Sequence, residues 1–186
     1  IVLVDAQNRL TQEPRLEVAY GAVDRSDGAL RAAVGGTDPY RSHFDRLDQG
    51  CRQPGSTFKP VVYSVALEMG YTPSSLVRDA PLRVILGPLE EWRPRNADGS
   101  FEGHITLWQA FVASRNLPAI LLYRDVGARN VLQRARRLGF TSELDPVEAL
   151  ALGASCVAPS ELLTAYGVFA RAGVARRPFG ITHVAG

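Results

Sequence analysis

Arg52-Gln53-Pro54-Gly55-Ser56-Thr57-Phe58-Lys59-Pro60 runs directly into Val61-Val62-Tyr63-Ser64-Val65-Ala66-Leu67-Glu68-Met69-Gly70. Pro54-Gly55 is a turn signal, and the apolar residues after it recur at helical spacing, with Val61, Val62, Val65, Ala66 and Met69 on one face. Gly70 is a natural stop. Ser56 is therefore expected at or near a helix N-terminus, with Lys59 one turn further on the same face. Free N–H groups and the positive end of the dipole favour negative charge on a serine oxygen there. A neutral lysine amine one turn away can take the hydroxyl proton. Pro60 lacks the N–H that would bond the Ser56 carbonyl, so the first turn is expected to be distorted.

Lys59 is the only lysine, and the other 20 of the 21 basic residues are arginine. Arginine stays charged in a protein, whereas a buried lysine can lose its proton. A chain that uses arginine elsewhere and lysine here has a chemical use for a neutral amine, or else a lysine that happens to lie near a serine.

With 186 residues, 46% of them hydrophobic, the chain can build one core, and a single domain is expected. A net charge of +2 gives no footprint for nucleic acid. The densest basic cluster, Arg134, Arg136 and Arg137, reads as a solvated helix face. His43, His104 and His183 lack metal-ligand spacing, so neither a metal nor a cofactor is expected. Cys51 and Cys156 can be free or bridged, and burial of Cys51 would be the default for an unpaired thiol. No apolar run is long enough to span a membrane. The chain opens on Ile1 in apolar sequence, which reads as a fragment of a longer protein.

Residues 1–5 are β-like. Residues 16–23 and 29–34 read as two strands around the turn 24–28, and 37–49 as a loop. Residues 71–79 read as a loop and 82–86 as a short strand. Residues 87–103 are too rich in proline, glycine and asparagine for regular structure throughout. Their Trp92, Asn96 and Asp98 can line a cleft, or the tryptophan can anchor a surface loop. Thr106 is expected to cap a helix to Ala113 that turns Leu107, Phe111 and Val112 inward. Further helices are expected over 118–123, 128–138 (stopped by Gly139) and 159–172. The last should bury a face of Leu162, Leu163, Tyr166, Phe169 and Ala170. Strands first and helices later give an α/β (α+β) fold, a sheet against a helical cluster.

Ser114-Arg115-Asn116 lies where one helix ends and the next begins. Alone it is most often a helix-terminus cap. Together with Ser56-x-x-Lys59, in this order, it resembles the active site of penicillin-recognising serine acyl-transferases. The nine residues 52–60 resemble the R-Q-P-G-S-x-F-K-P of class A penicillin-binding proteins. Ala33-Val34-Gly35-Gly36 is similar to that family's A-M-V-G-G, and residues 92–98 to its W-x-P-x-N-x-D. Residues 113–119 resemble A-x-S-x-N-x-P-A, and Ala151-Leu152-Gly153-Ala154-Ser155 resembles A-L-G-T-S. Departures are Asp45-Arg46 for the family's Asn-Arg, Cys156 where glutamate is common, and the lack of any K-T-G triplet.

The resemblance implies a penicillin-binding protein and serine β-lactamase-like transpeptidase fold, an antiparallel sheet packed with a helical subdomain. Residues 1–186 would form a partial transpeptidase domain whose C-terminal strands are missing, and which alone is expected to be inactive. The implied activity is D,D-transpeptidation or carboxypeptidation of peptidoglycan stem peptides ending in D-Ala-D-Ala, inhibited by β-lactam antibiotics. Ser56 would be the nucleophile and Lys59 the base, its amine kept neutral by burial and nearby positive charge. Ser114 would relay the proton and Asn116 would hold substrate, with Trp92, Asn96 and Asp98 lining the substrate site. The parent would be membrane-anchored at the periplasmic face of the bacterial inner membrane, with an upstream glycosyltransferase domain. A non-catalytic penicillin-recognising sensor or scaffold, and a serine β-lactamase using Glu143, are the alternatives.

Overall fold

The computed structural model describes residues 3–7, 10–11, 16–87 and 89–184. Its strands form four antiparallel pairs. β1 (Leu3–Val4) pairs with β2 (Leu10–Thr11), and β3 (Tyr20–Val23) with β4 (Leu30–Val34). β5 (Leu76–Asp79) pairs with β8 (Gly103–Thr106), enclosing the hairpin β6 (Val84–Gly87) and β7 (Glu90–Trp92). The helices are α1 (Lys59–Glu68), α2 (Leu107–Val112), α3 (Asn116–Val126), α4 (Ala128–Leu138) and α5 (Pro159–Ala170). Short 3₁₀ turns occupy Gly55–Phe58 and Glu148–Leu152.

The core sits around α1. Val61, Val62, Val65 and Ala66 are buried between α3 and α4. Each fully buried valine of this kind contributes about 1.5–3 kcal/mol by area removed from water. Phe58, fully buried, packs edge-on against Phe140 with ring centroids 5.6 Å apart. Met69, expected on the buried face, is instead exposed at the C-cap, and Gly70 at φ +99° ends the helix. The expected distortion at Pro60 takes the form of the 3₁₀ turn, in which the Ser56 carbonyl accepts from the Lys59 N–H.

Several expectations are corrected by tertiary packing. Residues 76–79 are a strand rather than loop, because β8 supplies the partner and Val77 and Asp79 alternate inward. Thr106 caps α2 in a full capping box with Gln109, but Leu107 and Ala110 are the buried residues, while Phe111 and Val112 face outward. The next helix begins at Asn116, before Pro118. In α5 the buried stripe is Glu161, Ala165 and Val168, whereas Tyr166 and Phe169 are exposed. That stripe turns inward because the Glu161 carboxylate accepts from the Thr141 N–H and hydroxyl and from the Ser142 N–H. α4 carries Val131, Ala135 and Leu138 inward with its arginines outward, as its spacing requires.

Cys51 is exposed and bonded to Cys156, with Cα atoms 5.3 Å apart across 105 residues of chain. The separation suits a bridge. Closing a loop of that length is worth about 4–5 kcal/mol against the unfolded chain. Among the described residues no helix is long and apolar enough to cross a membrane.

Candidate active site

The serine turn is built from backbone contacts. Gly55 adopts φ +59°, a conformation glycine tolerates best, and its N–H donates to the Gly153 carbonyl at 3.3 Å. The Thr57 hydroxyl donates to the Pro54 carbonyl at 2.6 Å, and the Tyr166 hydroxyl to the Thr57 carbonyl at 2.9 Å. Phe58 pins the inner side of the turn in the core, and Ser56 is left exposed on the outer side. Thr57 N–H to Pro54 carbonyl is the turn's first i→i+3 bond, so the Ser56 N–H has no acceptor within the turn.

Lys59, only 3% exposed, opens α1. Its Nζ donates to the Ser114 carbonyl at 2.5 Å, the Ser114 Oγ at 3.0 Å and the Asn116 Oδ1 at 2.7 Å. Burial lowers its pKa from 10.5 to about 8. The positive neighbour expected to assist is not among the causes, and burial alone produces the shift.

The three acceptors are not equivalent. A carbonyl and an amide oxygen can only accept, whereas a hydroxyl can also donate. When Nζ loses a proton, its two remaining N–H groups can stay on the Ser114 carbonyl and Asn116 Oδ1. The lone pair is then free for an O–H, and the Ser114 hydroxyl is the one partner of the three that can turn round to supply it.

Ser114 reaches this position through its backbone. α2 ends in two reverse bonds, Ser114 N–H to the Phe111 carbonyl at 3.0 Å and Arg115 N–H to the Ala110 carbonyl at 2.9 Å. That pattern is a Schellman closure, whose left-handed residue is usually glycine. Here it is Ser114, at φ +52°. Such a conformation costs a non-glycine residue of order 1–2 kcal/mol.

α3 has no side-chain cap of its own. Asn96 supplies one from outside, its Oδ1 accepting the Asn116 N–H at 2.8 Å and the Leu117 N–H at 3.4 Å. The Asn96 amide donates to Asp79 Oδ1 at 2.6 Å and to the Ser100 carbonyl at 2.9 Å. The Asn116 amide donates to the Arg95 carbonyl at 2.8 Å, which leaves its Oδ1 aimed at Lys59.

Behind these lies a buried ion pair. Asp79 is fully buried and Arg115 is 5% exposed, with Nη2 and Oδ2 2.7 Å apart. Arg115 also reaches Asp98 at 2.8 Å and the Ser100 carbonyl at 3.1 Å. Bonds from the Ser100 hydroxyl and N–H, then from Arg115, hold Asp98 down to about 2.

Lys59, Ser114 and Asn116 thus converge one turn from the exposed Ser56, and the other three expected residues take different positions. Asn96 is buried, both its amide oxygen and nitrogen are engaged internally, and it holds Asn116. Trp92 packs against the core, the anchoring role left open for it. Asp98 is exposed, but both its oxygens take bonds from Ser100 or Arg115. Asp79 and Arg115 were not anticipated. The signal was a charged residue on the same face as Val77 in an alternating strand.

The chain matches the family described as the penicillin binding protein transpeptidase domain over residues 18–186. It is 44% identical over 167 residues to penicillin-binding protein 1A of Neisseria meningitidis, covering 88% of this chain and 21% of that protein. With penicillin-binding protein 1A of Pseudomonas aeruginosa the identity is 38%, over 97% of this chain and 22% of the relative. The crystal structure of penicillin-binding protein 1A from Haemophilus influenzae superposes with a TM-score of 0.80 at 33% identity, covering 90% of this chain and 26% of that one. PonA1 from Mycobacterium tuberculosis in complex with penicillin V shares the fold, with a TM-score of 0.75 at 24% identity. The chain spans about a fifth of the length of the curated relatives it matches.

Proposed function

Since this chain belongs to the penicillin-binding protein transpeptidase domain family, among its class A members, we propose that it carries the serine half of a peptidoglycan D,D-transpeptidase site. The observation that carries the reading is the single lysine amine, buried, lowered to about 8 and bonded to Ser114 and Asn116 one turn from an exposed serine.

In this reading Ser56 Oγ attacks the carbonyl between the two terminal D-alanines of a stem peptide, and Lys59 takes its proton. The Ser56 N–H supplies one donor to the developing oxyanion. As the C–N bond breaks, the proton passes from Lys59 through the Ser114 hydroxyl to the departing D-alanine amine. Asn116 orients Lys59 and the substrate amide. An acyl-serine remains. An amine from a second stem peptide resolves it to a cross-link, and water resolves it to a shortened peptide. A β-lactam acylates the same oxygen by ring opening.

We read residues 1–186 as part of a larger transpeptidase domain. The parent would be anchored at the periplasmic face, with a glycosyltransferase domain upstream. The Cys51–Cys156 bridge supports an oxidising compartment. Glu143 lines a groove with Cys51 and Cys156, apart from the partners of Lys59, which argues against a β-lactamase that uses it.

The test is the intact mass of the full-length protein after exposure to a penicillin, beside a Ser56→Ala control. One drug molecule per chain, absent from the control, is expected. An unmodified protein, or an adduct that survives the alanine substitution, would overturn the assignment.

A further inference from the structure

Upstream of Ser56 the serine turn is held by a short seam, while Phe58 and the Tyr166 hydroxyl hold it downstream. The Arg52 N–H donates to the Val157 carbonyl at 3.0 Å, and the Val157 N–H returns to the Arg52 carbonyl at 2.9 Å. This is an isolated bridge, not part of a sheet. Three residues further along the turn, Gly55 meets Gly153 so closely that a Cβ built on Gly153 would lie 2.2 Å from the Gly55 carbonyl oxygen. Diagonally across the bridge, one residue before Arg52 and one before Val157, Cys51 and Cys156 are covalently joined. Cys51 and Arg52 are both exposed. An isolated pair of backbone bonds with one exposed strand, here that of Arg52, opens more easily than a ladder within a sheet. A covalent bond across it does not.

From this geometry we propose that Cys51 and Cys156, through their disulfide, are positioning residues for Ser56. The bridge fixes the start of the turn five residues before Ser56. Lys59, by contrast, is fixed by the core and by Ser114 and Asn116, none of which the bridge touches. Opening the bridge therefore lets Ser56 drift relative to a lysine that stays in place. The loss falls on the rate of acylation per folded molecule, because proton transfer needs the two groups within hydrogen-bond reach. The inference rests on Ser56 as the acylated nucleophile.

The experiment measures the second-order rate constant for acylation of the full-length protein by a fluorescent penicillin. It compares oxidised protein, protein reduced with tris(2-carboxyethyl)phosphine, and a Cys51→Ala/Cys156→Ala double variant, all well below their melting temperatures. The expected result is a fall of roughly tenfold or more in the reduced protein and the double variant alike. The final stoichiometry should stay at one penicillin per chain, and the double variant should be indifferent to the reductant. A merely structural bridge would instead lower the melting temperature or the fraction that can be acylated, with the rate constant of the folded molecules unchanged. That outcome overturns the proposal, as does alkylation of either cysteine in unreduced protein. Absence of any Ser56 adduct on the oxidised protein would overturn the proposed function, and this inference with it.

Discussion

Ser56 stands on a turn supported by backbone contacts and one covalent bond, whereas Ser114 and Asn116 stand on a junction supported by side-chain charges and amides. The first support is shallow: Cys51, Arg52 and Ser56 all face solvent. The second is deep, running from Asn116 through Asn96 to an aspartate with no exposed surface. Lys59 lies between them, its backbone N–H on the Ser56 carbonyl and its amine bonded only to the deep side, through Ser114 and Asn116. The lysine and its two partners therefore form a preset unit, and the nucleophile is presented to it from a separately fastened turn. Disturbing either half should give a recognisably different failure.

The largest effect is expected at the shared residue. Lys59→Arg keeps the charge and can donate to the same oxygens, but a guanidinium does not act as a base. Acylation by penicillin should fall by about 10²–10⁴-fold. The wild-type rate constant should rise with pH through a midpoint near 8 and then level, since burial lowers Lys59 to about that value. Stability should move the same way. Because the folded pKa is below the unfolded one, the contribution of Lys59 is full above about 10.5 and is lost as pH falls towards 8. A rate profile flat from pH 6 to pH 10 would remove the lysine from the base role.

Next comes the deep support. Asp79→Ala strands the buried Arg115 guanidinium and one amide proton of Asn96. Leaving a buried charge unpaired costs about 3–5 kcal/mol. Chemical denaturation should show a loss of that size, and the surviving folded protein should acylate slowly. A loss under 1 kcal/mol would mean that Asp98 and Glu102, the other two carboxylates near Arg115, suffice to hold it.

The shallow support should fail more gently. Gly153→Ala drives a methyl group against the Gly55 backbone at a residue with φ +71°. Overpacking of this kind typically costs 1–3 kcal/mol, and here its relief must move the serine turn. The predicted signature is a modest fall in melting temperature with a disproportionate fall in acylation rate. A variant that loses stability but acylates at the parent rate would show that the turn does not transmit the strain.

The same division explains what was legible in the sequence. Ser56, Lys59 and Gly70 could be found because a turn signal, a helical period and a glycine stop are all local. The Thr106 cap was legible for the same reason, with its Gln109 partner three residues away. The link from Asn116 through Asn96 to Asp79 was not legible because these partners lie 20 residues ahead of Asn96 and 17 residues back. Neither separation has a periodicity to read. The inward face of α5 was misjudged for a related reason. Apolar spacing favoured Tyr166 and Phe169, while the stripe is set by Glu161, a charged residue whose partners at 141 and 142 make its burial tolerable. The Cys51–Cys156 pairing spans 105 residues and has no sequence signature at all.

The smallest expected stability change is also the sharpest probe of the deep half. Ser114 occupies the left-handed position that closes α2, where glycine would be the unstrained choice. Ser114→Gly relieves a conformational cost of order 1–2 kcal/mol and gives back roughly 0.5–1 kcal/mol as the greater freedom of glycine in the unfolded chain. The net change should be small and stabilising, up to about 1 kcal/mol. The backbone carbonyl that accepts from Lys59 is retained, and only the hydroxyl is lost. That hydroxyl is the one partner of the amine able to return a proton, so acylation should slow although the protein is, if anything, more stable. Ser114→Ala removes the same hydroxyl but keeps the strained conformation, and should slow acylation equally without the gain. If both variants acylate at the parent rate, the serine is retained for something other than proton transfer, and its strained backbone is left without a purpose at this site. If both slow equally while only the glycine variant gains stability, the strain at Ser114 is the cost of setting a hydroxyl against Lys59.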